Sequence, residues 1–314
     1  MSNNFSKRIK EYNNSGFGNK PDHQPERLIN QDGSLNVKKT GLSFFDHFSV
    51  FHFLVSTNWL TFNLLVIATY ALVNLIFGFV YWVIGIEDLG VIPYSPMEDL
   101  LECIYFSAQT FSTVGYGRAN PSSHITNFIA LSEMLVGMMY LALAAGLLFA
   151  RFSRPVAKIV FSKKALVSPY KDHKGLMIRL SNAKTNLLLD VEVKLLLVMN
   201  IVENGKDVRK FYDLDLEMSM INIFALTWTV VHPIDSNSPL FDFDKEKLNK
   251  SKAEFMVLVK GYNNTLSQMV HARTSYKYFD VEWDAKFSPI FKYKNGNTIV
   301  PIDKIGSFEK TILQ

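Results

Sequence analysis

The chain has 314 residues, 48% of them hydrophobic, with Lys+Arg 33 against Asp+Glu 29 and a single cysteine. So apolar a composition excludes a disordered protein, and a net charge of +4 leaves no electrostatic footprint for nucleic acid. A lone Cys103 excludes both an intrachain disulfide and a zinc site built from cysteine clusters.

Residues 1–40, rich in Asn and containing Gly16, Gly18 and Gly33, read as a flexible tail without an assignable role. Over 41–57, Phe44, Phe48, Phe51 and Val55 recur at spacings of four, three and four, while Asp46, His47 and Ser49 fall off that stripe. The pattern predicts an amphipathic helix lying along the inner membrane surface. Residues 59–86 then contain no Asp, Glu, Lys, Arg or His. As a helix this stretch is roughly 42 Å long, enough to cross a hydrocarbon core of about 30 Å with some tilt. A second span is expected over 123–151, in which the stretch 125–150 is interrupted by one charge, Glu133. Trp59 at one end of the first span, and Tyr81 with Trp82 at the other, fit interfacial aromatic belts.

Charge asymmetry sets the topology. Residues 1–58 carry seven Lys/Arg and five Asp/Glu; residues 87–124 carry one Arg and five acids; residues 151–174 carry seven basic residues and one acid. The positive-inside rule puts both termini in the cytoplasm of a multi-pass inner-membrane protein.

The outer segment is more than a connector. Pro96, then Glu98, Asp99 and Glu102, open a pore helix over 97–110 whose negative dipole end points at the membrane centre. Thr113-Val114-Gly115-Tyr116-Gly117 follows. Glycines at alternate positions let successive carbonyls face one axis, and four copies around it would replace the hydration shell of K⁺. Thr113 adds its hydroxyl as the innermost ring. This is the potassium-channel signature, set between two spans and after a short helix. One chain has one such segment, so closing the pore takes three further identical subunits.

In the second span, Gly137 and Gly146 weaken the helix or allow close packing. Leu141, Ala145, Phe149 and Phe152 share a stripe that fits either a pore-facing gate or packing against helices and lipid. Glu133 demands a partner within the bundle or a place at the cavity. Arg151, Arg154 and Lys158 begin a basic cluster suited to anionic lipid.

From 175 onward the period is two. Asp190-Val191-Glu192-Val193-Lys194-Leu195 alternates as a half-buried strand, further strands are expected over 221–231, 255–261, 269–276 and 297–302, and a helix near 244–252. The segment 156–314 therefore reads as an all-β sandwich beneath a two-span pore domain over 58–155. His232 and His271 read as structural. No nucleophile constellation, phosphate loop or cofactor site appears, so no enzyme is expected.

The sequence resembles the inward-rectifier potassium channels, especially the prokaryotic branch, from about 43 to 291. Beyond the filter, the resemblance rests on residues 146–155 (GLLFARFSRP), 177–186 (MIRLSNAKTN), the His-Pro-Ile-Asp…Ser-Pro-Leu run within 219–240, 268–276 (QMVHARTSY) and 281–287 (VEWDAKF). It implies a homotetramer with an interfacial slide helix and an immunoglobulin-like cytoplasmic domain that extends the ion path. It also implies a gate at Phe149 and a narrow cytoplasmic girdle formed by Leu266, Ser267, Gln268, Met269, Val270, His271 and Ala272.

Three departures accompany it. Leu141 stands where strong rectifiers carry an acid, which implies weak rectification. Gln109 replaces the glutamate that braces the filter, with Arg118 directly after it. Asn58, Leu60, Val156 and Ala157 stand where phosphoinositide-activated members are basic. The rival readings are a two-span channel with a nucleotide-binding regulator, for which no Gly-rich fingerprint is present, and a non-conducting membrane-anchored binding module.

Overall fold

A computed structural model describes residues 10–12, 16, 27–37, 41, 49–153, 158–184 and 186–311. The chain divides into two compact units, residues 40–154 and residues 1–39 with 155–314.

The first unit is helical. Helix α1 (Val50–Ser56) starts at Ser49, whose hydroxyl accepts from His52 N; Phe44 and Phe48, from the stripe predicted over 41–57, lie outside the described residues. Helix α2 (Trp59–Ile84) is capped by Asn58, whose Oδ1 accepts from Thr61 N at 2.7 Å. Helix α3 (Pro96–Phe111) has Ser95 as its cap and proline in its first turn. Helix α4 (His124–Phe152) opens on a capping box between Ser123 and Thr126. Each helix thus begins where a short polar side chain satisfies an orphan amide. The 26 residues of α2 and the 29 of α4 have mean hydropathies of 2.2 and 1.9 and are long enough to cross a membrane. Only Phe62, Asn74, Gly78 and Tyr81 of α2, and Thr126, Glu133 and Gly137 of α4, are buried within one chain.

The second unit is a sandwich. One sheet runs β1 (Lys10–Tyr12), β6 (Lys206–Leu214), β5 (Leu188–Glu203), β9 (Glu254–Asn263) and β10 (Gln268–Lys277), with β7 (Met220–Phe224) also pairing β5. The other runs β11 (Val281–Trp283), β3 (Ala165–Tyr170), β4 (His173–Asn182) and β2 (Ile159–Phe161), with β8 (Thr227–Ile234) pairing β4. Pairing is antiparallel except between β11 and β3. Val191, Val193 and Leu195 alternate into the core against Leu176, Ile178 and Leu180 of the opposite sheet. Helix α5 (Lys245–Lys250) is capped by Asp244 and anchored by Leu248.

The strand predicted over 221–231 is two strands. The chain bends at Ala225–Leu226, where Leu226 O accepts from Ser181 Oγ, and passes from one sheet to the other. His232, buried at the end of β8, bonds Asp215 O at 2.6 Å and Ser238 Oγ at 2.8 Å, and that hydroxyl also accepts from Leu240 N. The His-Pro-Ile-Asp…Ser-Pro-Leu run is therefore a structural clasp, and burial holds the His232 imidazole below its usual pKa.

The tail predicted over 1–40 needs correction at residues 27–37, which are strapped to the sandwich. Glu254, itself paired with Lys277 at 3.1 Å, accepts from Leu28 N and Ile29 N. Arg27 pairs with Asp280 at 2.5 Å, and Ile29 O accepts from Ser275 Oγ. Ile29 is 2% exposed among Val198, Phe211 and Met256. One buried isoleucine flanked by polar residues carries no periodic signal, so these docking contacts leave no trace in the sequence pattern.

Candidate selectivity filter and pore wall

Helix α3 delivers its C-terminus to the segment 112–118. The amides of Val114 and Gly115 both point back at Gln109 O, at 2.9 and 3.3 Å, and Thr113 N reaches Thr110 O at 3.1 Å. Gln109 thus supports the segment through its backbone. Beyond that, Thr113, Gly115 and Gly117 have φ of 61, 54 and 82°, while Val114 and Tyr116 do not. Alternating the hand of successive residues turns consecutive peptide planes so that their carbonyls share one side, the geometry an ion column requires. The two glycines adopt this without a Cβ penalty. Thr113, β-branched and left-handed, is a strained position that a residue-type reading misses. Val114 and Tyr116 are 52% and 81% exposed on the single chain. Asn120 Nδ2 donates to Gly117 O at 3.0 Å, and Arg118 pairs with Glu102 at 2.7 Å.

Glu133, in the first half of α4, is fully buried. Its carboxylate accepts from Ser107 Oγ of α3 at 2.5 Å and from Tyr81 OH of α2 at 2.7 Å, and Ser107 Oγ also lies 3.2 Å from Asn74 Oδ1. A carboxyl group in hydrocarbon is tolerable only with such partners. The network ties the three helices together, so Tyr81 is a bundle residue, not part of an interfacial belt. Asn74, Gly78 and Tyr81 recur at four and three, one face of α2, a signal that was present in the sequence.

Close backbone approach completes the seat of the filter. A Cβ on Gly137 would lie 2.1 Å from Phe111 O, and one on Gly78 would lie 2.7 Å from Ile104 Cγ1. Only glycine allows α4 and α2 to reach α3 there. A Cβ on Gly146, by contrast, would meet nothing within 4 Å among the described residues. Tyr70, Phe111 and Tyr140 cluster at the foot of α3, and Tyr140 OH donates to Val66 O at 2.6 Å.

Along α4, Leu141 (44%), Ala145 and Phe149 (73%) are exposed on one stripe. Phe152, assigned to that stripe by spacing, packs on Trp59 with ring centroids 5.0 Å apart. Arg151 is not turned to lipid: its guanidinium donates to Leu54 O and Thr57 O and lies over Trp59 and Phe62. Arg154 lies outside the described residues, and Lys158 is exposed.

The predicted girdle 266–272 is only partly a loop. Gln268 to Ala272 are already paired in β10, opposite Asn263 to Val259, and Val270 is 2% exposed in the core. The turn is 264–267, with Asn263 Oδ1 accepting from Thr265 N and Leu266 N and Ser267 at φ 51°. Leu266, Ser267, Gln268, Met269 and His271 remain at least partly accessible at the tip. The hairpin extends further than the spacing of its turn residues suggests.

Comparisons with known proteins bear on this arrangement. Residues 159–312 match the family model described as the inward rectifier potassium channel C-terminal domain, and residues 69–154 match one described as ion channel. The inward rectifier potassium channel Kirbac3.1 of Paramagnetospirillum magnetotacticum is 36% identical over 87% of this chain and 92% of its own length. The chain belongs to the inward rectifier potassium channel family. More distant relatives include the G protein-activated inward rectifier potassium channel 3 of Mus musculus, 24% identical over 86% of this chain and 74% of its own, and irk-1 of Caenorhabditis elegans, 22% identical over 88% and 55%. This inward rectifier is therefore a membrane potassium channel and not an enzyme, with two apolar helices and an all-β C-terminal domain.

Proposed function

We propose that four copies of this inward rectifier meet at one axis, where Thr113, Val114, Gly115, Tyr116 and Gly117 of each form the K⁺ filter. Carbonyl rings replace the water of a dehydrated ion, so conduction is passive, and the partners of each chain are K⁺ and three identical subunits. The alternation of left-handed residues at 113, 115 and 117 carries this reading. Exposed Val114 and Tyr116 favour it further, since neighbouring copies would cover them. Gln109 supports the filter through its carbonyl, while Glu133 and Arg118 hold the helix that carries it, through Ser107 and Glu102.

Leu141, Ala145 and Phe149 line the pore below the filter, with Phe149 as the gate and the cytoplasmic domain moving it. Apolar Leu141 offers no seat for a blocking cation, so rectification is weak. The accessible tip of the 264–267 turn narrows the cytoplasmic path. Both termini lie in the cytoplasm, by the positive-inside rule, and the basic run of the sequence after α4 draws this end of the pore domain to anionic lipid.

Liposome flux tests the filter. Barium is expected to block K⁺ flux, and Gly115→Asp to abolish it while assembly on a native gel is preserved. Undiminished flux in Gly115→Asp would reject the assignment.

A further inference from the structure

Arg151 occupies the last turn of α4, two residues after Phe149. Two residues on an α-helix are about 200° apart, so the two side chains leave α4 on opposite sides. The guanidinium Nη1 donates to Leu54 O at 2.5 Å and Nη2 to Thr57 O at 2.8 Å. Leu54 is in the last turn of α1 and Thr57 is its C-cap, so both carbonyls belong to the negative, unsatisfied end of that helix. Its Cζ lies 4.7 Å from the ring centroid of Trp59 and 4.5 Å from that of Phe62, at the start of α2. Trp59 in turn packs on Phe152. Arg151 therefore joins the end of α1, the start of α2 and the end of α4 through one planar group.

We propose that Arg151 is a positioning residue for the gate, a pin that makes α1 and the cytoplasmic end of α4 move as one body. A sideways or rotational movement of α1 is then passed across α4 to Phe149. The inference rests on the reading of α4 as pore wall with its gate at Phe149. Only a forked, delocalised cation donates to two carbonyls while its Cζ stays within 5 Å of two aromatic ring centroids; a lysine ammonium is a compact point charge without that fork. One donor on each terminal nitrogen is engaged with a helix-end carbonyl, and Nε is buried, so the group is held inward by protein.

The test is single-channel recording of the full-length channel in bilayers, on Arg151→Lys, Arg151→Gln, Trp59→Leu and the double variant Arg151→Gln/Trp59→Leu. Loss of at least one charge-assisted hydrogen bond is expected to shift open probability about tenfold or more in both Arg151 variants. Trp59→Leu is expected to shift it about two- to fivefold in the same direction, and the double variant no further than Arg151→Gln. The K⁺/Na⁺ permeability ratio and barium block stay as in the unmodified channel.

Additive effects in the double variant, or unchanged gating in Arg151→Gln, would overturn the inference. So would an Arg151→Lys variant indistinguishable from the unmodified channel with an Arg151→Gln defect that follows anionic lipid content, since that identifies a headgroup contact. Unmodified channel that passes Na⁺ as readily as K⁺ would sink the pore reading instead, so the two failures are distinguishable.

Discussion

In the membrane unit, α2 and α4 bury seven side chains between them within one chain, and those are mostly glycine or polar: Gly78 and Gly137, Asn74, Tyr81, Thr126 and Glu133, beside Phe62. The sandwich closes instead over a continuous apolar core drawn from both sheets, with Leu176, Leu195, Phe255 and Val257 at 1% exposure or less. Where water is the solvent, removing apolar surface from it drives packing. Where lipid is the solvent that drive is absent, and close backbone approach with shared polar groups takes over. The helical unit is therefore specified by a few close contacts among α2, α3 and α4, whereas the sandwich closes over a core of its own.

That contrast breaks most visibly at Gly137. Gly137→Val places its first carbon against Phe111 O, displaces α3 and is expected to abolish K⁺ flux, while the protease resistance of the sandwich is unchanged. Phe255→Ala is the converse. Emptying a fully buried site costs the sandwich about 3–5 kcal/mol, read by denaturant unfolding through Trp228 and Trp283, while the K⁺/Na⁺ ratio of surviving channels is unaltered. Glu133→Leu orphans the hydroxyl of Tyr81, about 1–3 kcal/mol for the unsatisfied group, leaves Ser107 Oγ with Asn74 Oδ1 as its acceptor, and lowers the thermal stability of the detergent-solubilised protein; Glu133→Gln, which keeps an acceptor oxygen, loses less.

The smallest effect is a pH dependence confined to the sandwich. His232 is held below its ordinary pKa by burial, so the unfolded chain binds a proton that the folded one refuses. Stability is full above about pH 6.5, the unfolded value, and falls as pH drops below it. The slope between about pH 6.5 and 5 is expected to disappear in His232→Gln, as measured by denaturant midpoints.

The two apolar helices and the short helix between them were legible because uncharged length and a proline start act locally, over a few consecutive residues. The sandwich strands were legible by their alternation, as in Val191, Glu192 and Val193. What sequence reading misplaced depends on a partner distant along the chain. Tyr81 looks like a belt aromatic until Glu133, 52 residues on, takes its hydroxyl. Arg151 looks like a lipid cation until the carbonyls of Leu54 and Thr57 use its donors. Residues 27–37 look like tail because their anchors, Glu254 and Asp280, lie more than two hundred residues away. A charge announces that it needs company, and the fold decides which.

The most direct test of the account is the reversal potential of the purified channel in a planar bilayer with K⁺ on one side and Na⁺ on the other. Four converging columns of main-chain oxygen predict a potential set by K⁺ alone, removed by barium. A reversal potential near zero, with Na⁺ carrying comparable current, would contradict it.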